Sequence, residues 1–309
     1  MSIETPHTPC LLVVVDMNPF FWGARSYAET DAQPTAAAEV AEGGEPSLPS
    51  EAAPAREPFS GAQLHLSEFL AVLLTFLNAY RLTNRDSQVR VIGCHLTGAV
   101  LLLDTTKLKG FLAKELTESV RQLARTTSVA PQASAADADA DGIDYGSKLG
   151  AALSLGICIG SKLIREKCTP RIIVFSVSPD LSEQYIAVMN CIFSAQKLKI
   201  LIDACVLFEQ DSSLLQQAAY ITGGVYLRPR AQKQALIQYL LSAFLPDAET
   251  RQYIKVPLLK SVDFRASCFC HKRSENIAYV CSVCLSIFCT FLPVCPTCSV
   301  RFPFQTDRE

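Results

Sequence analysis

At 309 residues the chain is long enough for one or two domains that each bury a core. Hydrophobic residues make up 49% and charged residues 19%, and the formal net charge is -2. That balance reads as globular and excludes a global electrostatic pull toward nucleic acid or anionic lipid. The most apolar stretch, Leu149 to Ser161, falls well short of the roughly 20 residues a membrane helix needs, so no membrane partner is expected.

CLLVVVD, Cys10 to Asp16, is apolar without alternation, which suits a strand covered on both faces. No basic segment precedes it, so it reads as a buried strand rather than a signal peptide, and a reducing compartment is expected. The loop DMNPFFWG follows, and then residues 28–58, rich in Ala, Glu and Pro, read as a disordered surface insertion. Leu64, Phe69, Leu73, Phe76, Leu77 and Tyr80 recur at helical spacing and predict a helix over Ala62 to Tyr80. Val89 to Leu96 and Ala99 to Leu103 predict two strands joined by a tight turn at Thr97-Gly98.

Helices are predicted at about 109–125 and 146–167, separated by a second low-complexity insertion, the Ala/Asp-rich residues 128–142. Strand and helix then alternate. The strands are Arg171 to Val177, Ile200 to Leu207 and Gly224 to Arg228, and the helices are Leu181 to Lys197, Ser212 to Thr222 and Arg230 to Phe244. This alternation implies parallel pairing with right-handed crossovers, so the fold class is α/β: a doubly wound, mainly parallel, Rossmann-like sheet. Its first domain is expected to span residues 1–250, with a small cysteine-rich module at 251–309.

Ligands of doubly wound sheets bind at the carboxyl ends of the strands. The loop after the first strand lacks the glycines a pyrophosphate requires. GICIGSK, Gly156 to Lys162, departs from the phosphate-loop pattern and lies inside a helical pattern, so it reads as a small-residue packing face. Asp16 is the suggestive carboxylate. In von Willebrand A-type domains this position opens a D-x-S-x-S motif that holds Mg²⁺. Here the serines are replaced by Asn18 and Phe20, and with Asp180 they leave a degenerate site for which no Mg²⁺ is expected. The four histidines lie beside no nucleophile, and there is no G-x-S-x-G or H-E-x-x-H motif. A scaffold without catalytic residues or a small-molecule substrate is the expectation. Phe20, Phe21 and Trp22, read as an exposed aromatic cluster, are the candidate docking anchor.

Seven of the thirteen cysteines fall in the last 42 residues. Cys281-x₂-Cys284 and Cys295-x₂-Cys298, ten residues apart, present four thiolates as structural zinc requires. A redox reading fails on context, since a thioredoxin-like pair opens a helix within a βαβ unit. Cys268, Cys270 and Cys289, with His271, offer ligands for a second site in a RING-like cross-brace, although Leu292 stands where that pattern wants a further cysteine. The competing arrangement joins Cys268, Cys270, Cys281 and Cys284. One zinc ion is therefore expected, with room for two. The other six cysteines, Cys10, Cys94, Cys158, Cys168, Cys191 and Cys205, read as small buried hydrophobes. Tyr279, Leu285, Ile287, Phe288 and Phe291 are expected to cap the metal.

LLVVVDMNPFFWG, ILIDACVL, LLQQAAYITGGVYL and CFCH…YVCSVCLSIFC…CPTC together resemble the family of small von Willebrand A-type, C4 zinc-finger core subunits of the general transcription and DNA repair factor TFIIH. The resemblance implies a non-enzymatic nuclear subunit serving RNA polymerase II transcription initiation and nucleotide excision repair. It also implies docking of the A-type domain on the RING-like domain of a sister subunit that itself has an A-type fold. Contact with the complex's DNA helicases and with DNA would then be indirect. No basic run follows the cysteine module, so import together with partners is expected. Two other readings stay open: a RING-like ubiquitin ligase component and a zinc-dependent DNA-binding module.

Overall fold

The structure, a computed structural model, describes residues 8–22, 64–83, 86–108, 110–127, 147–207, 210–229, 233–257, 262, 264–265, 268–270 and 275–302. Both low-complexity insertions lie outside these. A six-stranded sheet forms the centre, in the order β3-β2-β1-β4-β5-β6. Its strands are β1 (Thr8–Asp16), β2 (Gln88–Cys94), β3 (Ala99–Asp104), β4 (Cys168–Ser176), β5 (Leu201–Val206) and β6 (Tyr226–Leu227). All neighbours pair in parallel except β2 and β3, which form the expected antiparallel hairpin. The predicted doubly wound A-type sheet is thus present.

Among the described residues, six longer helices cover it: α1 (Leu66–Thr83), α2 (Leu112–Thr127), α3 (Leu149–Arg165), α4 (Tyr185–Lys197), α5 (Ser213–Thr222) and α6 (Lys233–Tyr239). The pleat of β1 sorts its side chains between two cores. Leu11, Val13 and Val15 pack with Phe69, Phe76, Leu116 and Phe244, under α1, α2 and the end of α6. Leu12 and Val14 pack with Leu153, Ile157, Ile192 and Leu215, under α3, α4 and α5. Burial on both faces is why the LLVVV run shows no alternation. Gly156 and Gly160 of α3 face the sheet. A Cβ on Gly160 would sit 2.9 Å from Ile200 Cδ1, so the GICIGSK segment is the packing face its composition suggests.

Boundaries differ from expectation by a few residues at several elements, and most at two. The last helix becomes a π turn over Leu240–Phe244, and β6 keeps only two paired residues. The carboxylate Oδ1 of Asp203 accepts the Val225 N–H at 2.8 Å, so β6's ladder starts only after it. A side chain at Gly224 would place its Cβ 2.0 Å from the Ile202 carbonyl oxygen, so the strand entry needs glycine there.

Helix α5 carries legible caps. Ser212 Oγ accepts the Leu215 N–H, and Gly223 ends the helix at φ 76°. Gly223→Ala is expected to destabilise the protein by about 1 kcal/mol, because an L side chain resists the left-handed region. A urea unfolding midpoint measures it, and an unchanged midpoint would mean that the cap relaxes at no cost.

Among the isolated cysteines the exception is Cys158, which lies exposed on the outer side of α3. The other five are buried, and burial pushes the Cys94 and Cys205 thiols well up, as inert core residues require.

Candidate functional site

Among the described residues, two places concentrate polar or metal-ligating chemistry. The first is the carboxyl end of the sheet. Asp16 ends β1 and is buried, and burial pushes its carboxyl up while neighbouring hydrogen bonds hold it down. Its Oδ1 accepts the Asn18 N–H at 3.1 Å, and its Oδ2 accepts the N–H groups of Val177 and Ser178 at 3.2 and 2.9 Å. Asn18 donates Nδ2–H to Ser178 Oγ at 3.0 Å and accepts the Phe20 N–H at 3.1 Å. Asp180, after β4, accepts from the hydroxyls of Ser212 and Ser213 and from the Leu214 N–H, so it caps α5. Asp16 and Asp180 therefore staple three loops together. The cavity beside Asp180, lined by Ser147, Ser176, Ser178 and Gln184, measures about 10 Å³, room for at most one water. His95 lies in the β2–β3 turn, 2.9 Å from its own turn's Thr97 hydroxyl, and burial lowers its pKa.

Next to these staples the chain turns into a short helix at Pro19. Phe20 stands outward at 49% exposure, and Phe21 is partly buried against the core. Trp22 does not join an exposed cluster. It is 5% exposed, packs 5.4 Å from Phe69, and donates its indole N–H to the Asp16 carbonyl at 2.8 Å. The helical turn swings position 22 back against α1 at the carboxyl end of β1, and an indole whose N–H finds a buried carbonyl is stable there.

The second place is the cysteine module. A two-stranded hairpin, β7 (Tyr279–Val280) with β8 (Ile287–Phe288), frames the first knuckle. The Cys281 N–H bonds to the Ser286 carbonyl, and the Leu285 N–H bonds to the Cys281 carbonyl. The second knuckle repeats this pattern: Cys295 to Val300, and Ser299 to Cys295. Leu285 and Ser299, each four residues after the first cysteine, both take positive φ, near 60°. This shared turn aims both cysteines of each pair inward. The four sulfur atoms lie within 4.8 Å of one another, with Cys281–Cys298 at 3.7 Å and Cys284–Cys295 at 3.6 Å. Four thiolates around an ion with ~2.3 Å bonds would stand about 3.8 Å apart, so this group could hold a metal ion. Ser286 lies 3.1 Å from Cys284 Sγ, and its hydrogen bonds draw that thiol down to about 6.

Cys268, Cys270 and Cys289 form a separate group of sulfur atoms within 4.8 Å. The pairs thus interleave as in a cross-brace, and the competing set of Cys268, Cys270, Cys281 and Cys284 does not assemble. His271 lies outside the described residues. Of the expected apolar cap only Phe288 is buried. Tyr279 and Phe291 meet edge to face at 5.7 Å on the outside, over a cavity of about 210 Å³ that also touches Phe288, Leu292 and Phe302.

Ion pairing around Asp203 was not visible in the sequence. Arg251 donates to both oxygens of the fully buried Asp203 at 2.8 and 2.7 Å, and Arg171 lies 3.7 Å from the same carboxylate. Ser178, the hydroxyl that meets Asn18, was also missed. Its position in the loop after β4, at the same sheet end as Asp16, was the signal that could have found it.

Comparison with known proteins follows the same lines. The family model for Transcription factor Tfb4 matches residues 51–299. General transcription factor IIH subunit 3 of Dictyostelium discoideum is 39% identical over 258 residues, 78% of this chain and 69% of that protein. General transcription and DNA repair factor IIH subunit TFB4 of Arabidopsis thaliana is 37% identical over 263 residues, 79% of this chain and 84% of that protein. The crystal structure of the TFIIH p34 N-terminal domain superposes with a TM-score of 0.53 at 24% identity, covering 76% of this chain and 97% of that one. At that identity it speaks for the fold alone.

Proposed function

Because this chain belongs to the Tfb4 family of transcription factors, we propose that it is a non-enzymatic core subunit of TFIIH, acting in the nucleus in RNA polymerase II transcription initiation and nucleotide excision repair. In this reading residues 1–250 scaffold a sister subunit's RING-like domain, and DNA helicases and DNA are reached only through that sister. Residues 251–309 form the second unit, although Arg251 and Val256 still touch the first. Cys281, Cys284, Cys295 and Cys298 hold structural zinc, the metal that an all-thiolate tetrahedron suits.

The observation that carries the reading is the closed carboxyl end. The oxygens of Asp16 and Asp180 accept from the protein's own N–H and O–H groups, and the adjoining cavity has about 10 Å³. Such a site favours contact through its surface over Mg²⁺ or substrate held inside it. The tail's basic residues, such as Arg265 and Arg301, are too dispersed for a nucleic-acid footprint.

Mass spectrometry of proteins that co-purify with the tagged full-length chain from nuclear extract tests this. A stoichiometric set containing a second A-type subunit and DNA helicases is expected. Recovery of the chain alone, or mainly with ubiquitin-conjugating enzymes, overturns it. On a finer scale, Phe20→Ala is expected to weaken binding of the sister's RING-like domain about tenfold, as loss of an exposed aromatic anchor does. The thermal midpoint should stay unchanged, since Phe20 is exposed. Calorimetric titration that returns the wild-type affinity would remove Phe20 from the interface. Trp22→Ala is not the right test, because it truncates the core.

A further inference from the structure

The cavity under the Tyr279–Phe291 pair has an apolar wall and an open mouth. Phe288, Cys281 and Cys295 are its buried floor, while Tyr279, Val280 and Phe291 stand exposed at its rim. Among the described residues, no charged side chain lines it. Its volume of about 210 Å³ falls below the roughly 300–1,000 Å³ of small-molecule sites and suits one large side chain. The edge-to-face contact of Tyr279 with Phe291 at 5.7 Å forms the rim in advance. An exposed apolar rim of this kind marks a place that something covers.

The chain delivers its own last residues to that mouth. Phe302 lines the cavity, and its N–H bonds to the Pro293 carbonyl at 3.0 Å. The antiparallel bridge of Arg301 with Val294 fixes the direction of approach. PFQTDRE, residues 303–309, comes next and lies outside the described residues. Pro303 has no N–H to extend the pairing, and it biases Phe302 toward an extended backbone. Two residues of extended chain span at most about 7 Å, so Phe304 starts within side-chain reach of the cavity. It is also the one large apolar side chain among those seven residues.

We propose that Phe304 folds back into this cavity and caps the aromatic rim as an intramolecular plug. Proximity decides the occupant. A side chain on so short a tether acts at an effective concentration in the millimolar range, on the order of a thousandfold above a second copy at micromolar concentration. Asp307, Arg308 and Glu309 stay in water, since the cavity offers a charge no partner. The plug makes the rim conditional. A partner that uses Tyr279, Val280 and Phe291 has to displace Phe304 first, and its apparent affinity falls with the fraction of chains that are open.

Photo-crosslinking of the purified full-length chain with p-benzoylphenylalanine in place of Phe304 tests this. The chief product should be an intrachain crosslink, mapped by mass spectrometry to residues 279–295. Leu292→Glu places a carboxylate in the cavity and should lower that yield about tenfold, because covering an unpaired charge is costly. The same label in place of Thr306 should give little of the product. No crosslink, or crosslinks scattered over the chain, overturns the proposal. A chiefly interchain product, seen as a dimer on a denaturing gel, means that a second copy fills the cavity and also overturns it. Where Leu292→Glu unfolds the tail, the mapped position in the labelled chain without that substitution still decides: attachment to the lining residues sustains the plug and attachment elsewhere sinks it.

Discussion

Chelating the metal unfolds the tail and leaves the sheet intact: that is the largest effect we expect. The cysteine module has only a handful of buried apolar groups, Phe288 with parts of Phe269, Leu292 and Phe302 among them. So small a core cannot offset the entropy of ordering its loops. Structural zinc contributes an apparent 10–16 kcal/mol, to order of magnitude, in finger peptides, so its removal dominates every contact in the module. Hydrogen exchange on the full-length chain, with and without a zinc chelator, checks this. Amides of residues 275–302 should lose protection, while those of β1 and β4, which lie in a separate core, keep theirs. Cys295→Ser should reproduce the chelator, because Cys295 is buried at the centre of the set. A tail that stays protected in both experiments would mean that aromatic packing alone holds it.

The second large effect lies at Asp203. This carboxylate is fully buried and takes four interactions: two from Arg251, one from the Val225 N–H, and the approach of Arg171. Arg171 is buried as well, and it donates to the carbonyls of Phe244 and Pro246 at 2.6 and 2.5 Å. Both guanidiniums therefore share Asp203 as their nearest counter-charge, with Asp247 a lesser one for Arg171, in a place water hardly reaches. Asp203→Ala strands them, and a broken buried ion pair of this kind costs about 3–5 kcal/mol. Asp203→Asn keeps an acceptor for the Val225 N–H and should lose less. Urea unfolding of the two variants separates the contributions. Equal losses would shift the weight from charge to the backbone hydrogen bond, and a loss under about 1 kcal/mol for Asp203→Ala would mean that the arginines find water instead.

How much of this was legible follows from the range of each signal. The LLVVV run announced a strand buried on both faces, and it is the strand at the sheet's centre. The two Cys-x₂-Cys pairs announced four sulfur atoms drawn together, because each pair is set by a turn of a few residues. Helix α5, expected over Ser212 to Thr222, runs over Ser213–Thr222. What failed to show depends on partners far apart in the chain. Arg251 and Asp203 are 48 residues apart, and no periodicity links them. Trp22 read as exposed because its neighbours in sequence are loop residues. Its burial comes from Phe69, which lies on the far side of an insertion. The length of β6 was misjudged for the same reason, since the Asp203 side chain takes the N–H that a longer ladder would have used.

The strand order has a consequence for synthesis. β1 is made first, yet it occupies the centre of the sheet, and its pairing with β4 joins Thr8 to Cys168 across 160 residues. At ~5–20 residues per second, about 8–32 s pass between the two. Throughout that interval the ribosome-bound chain carries CLLVVV with at least one edge open, a segment of high β-propensity and no charge. Contacts of such long range also slow folding once the chain is complete. A transcript truncated before residue 176 would release a chain that can never close this edge, and its fate would be set by chaperones and proteases instead of by its own core.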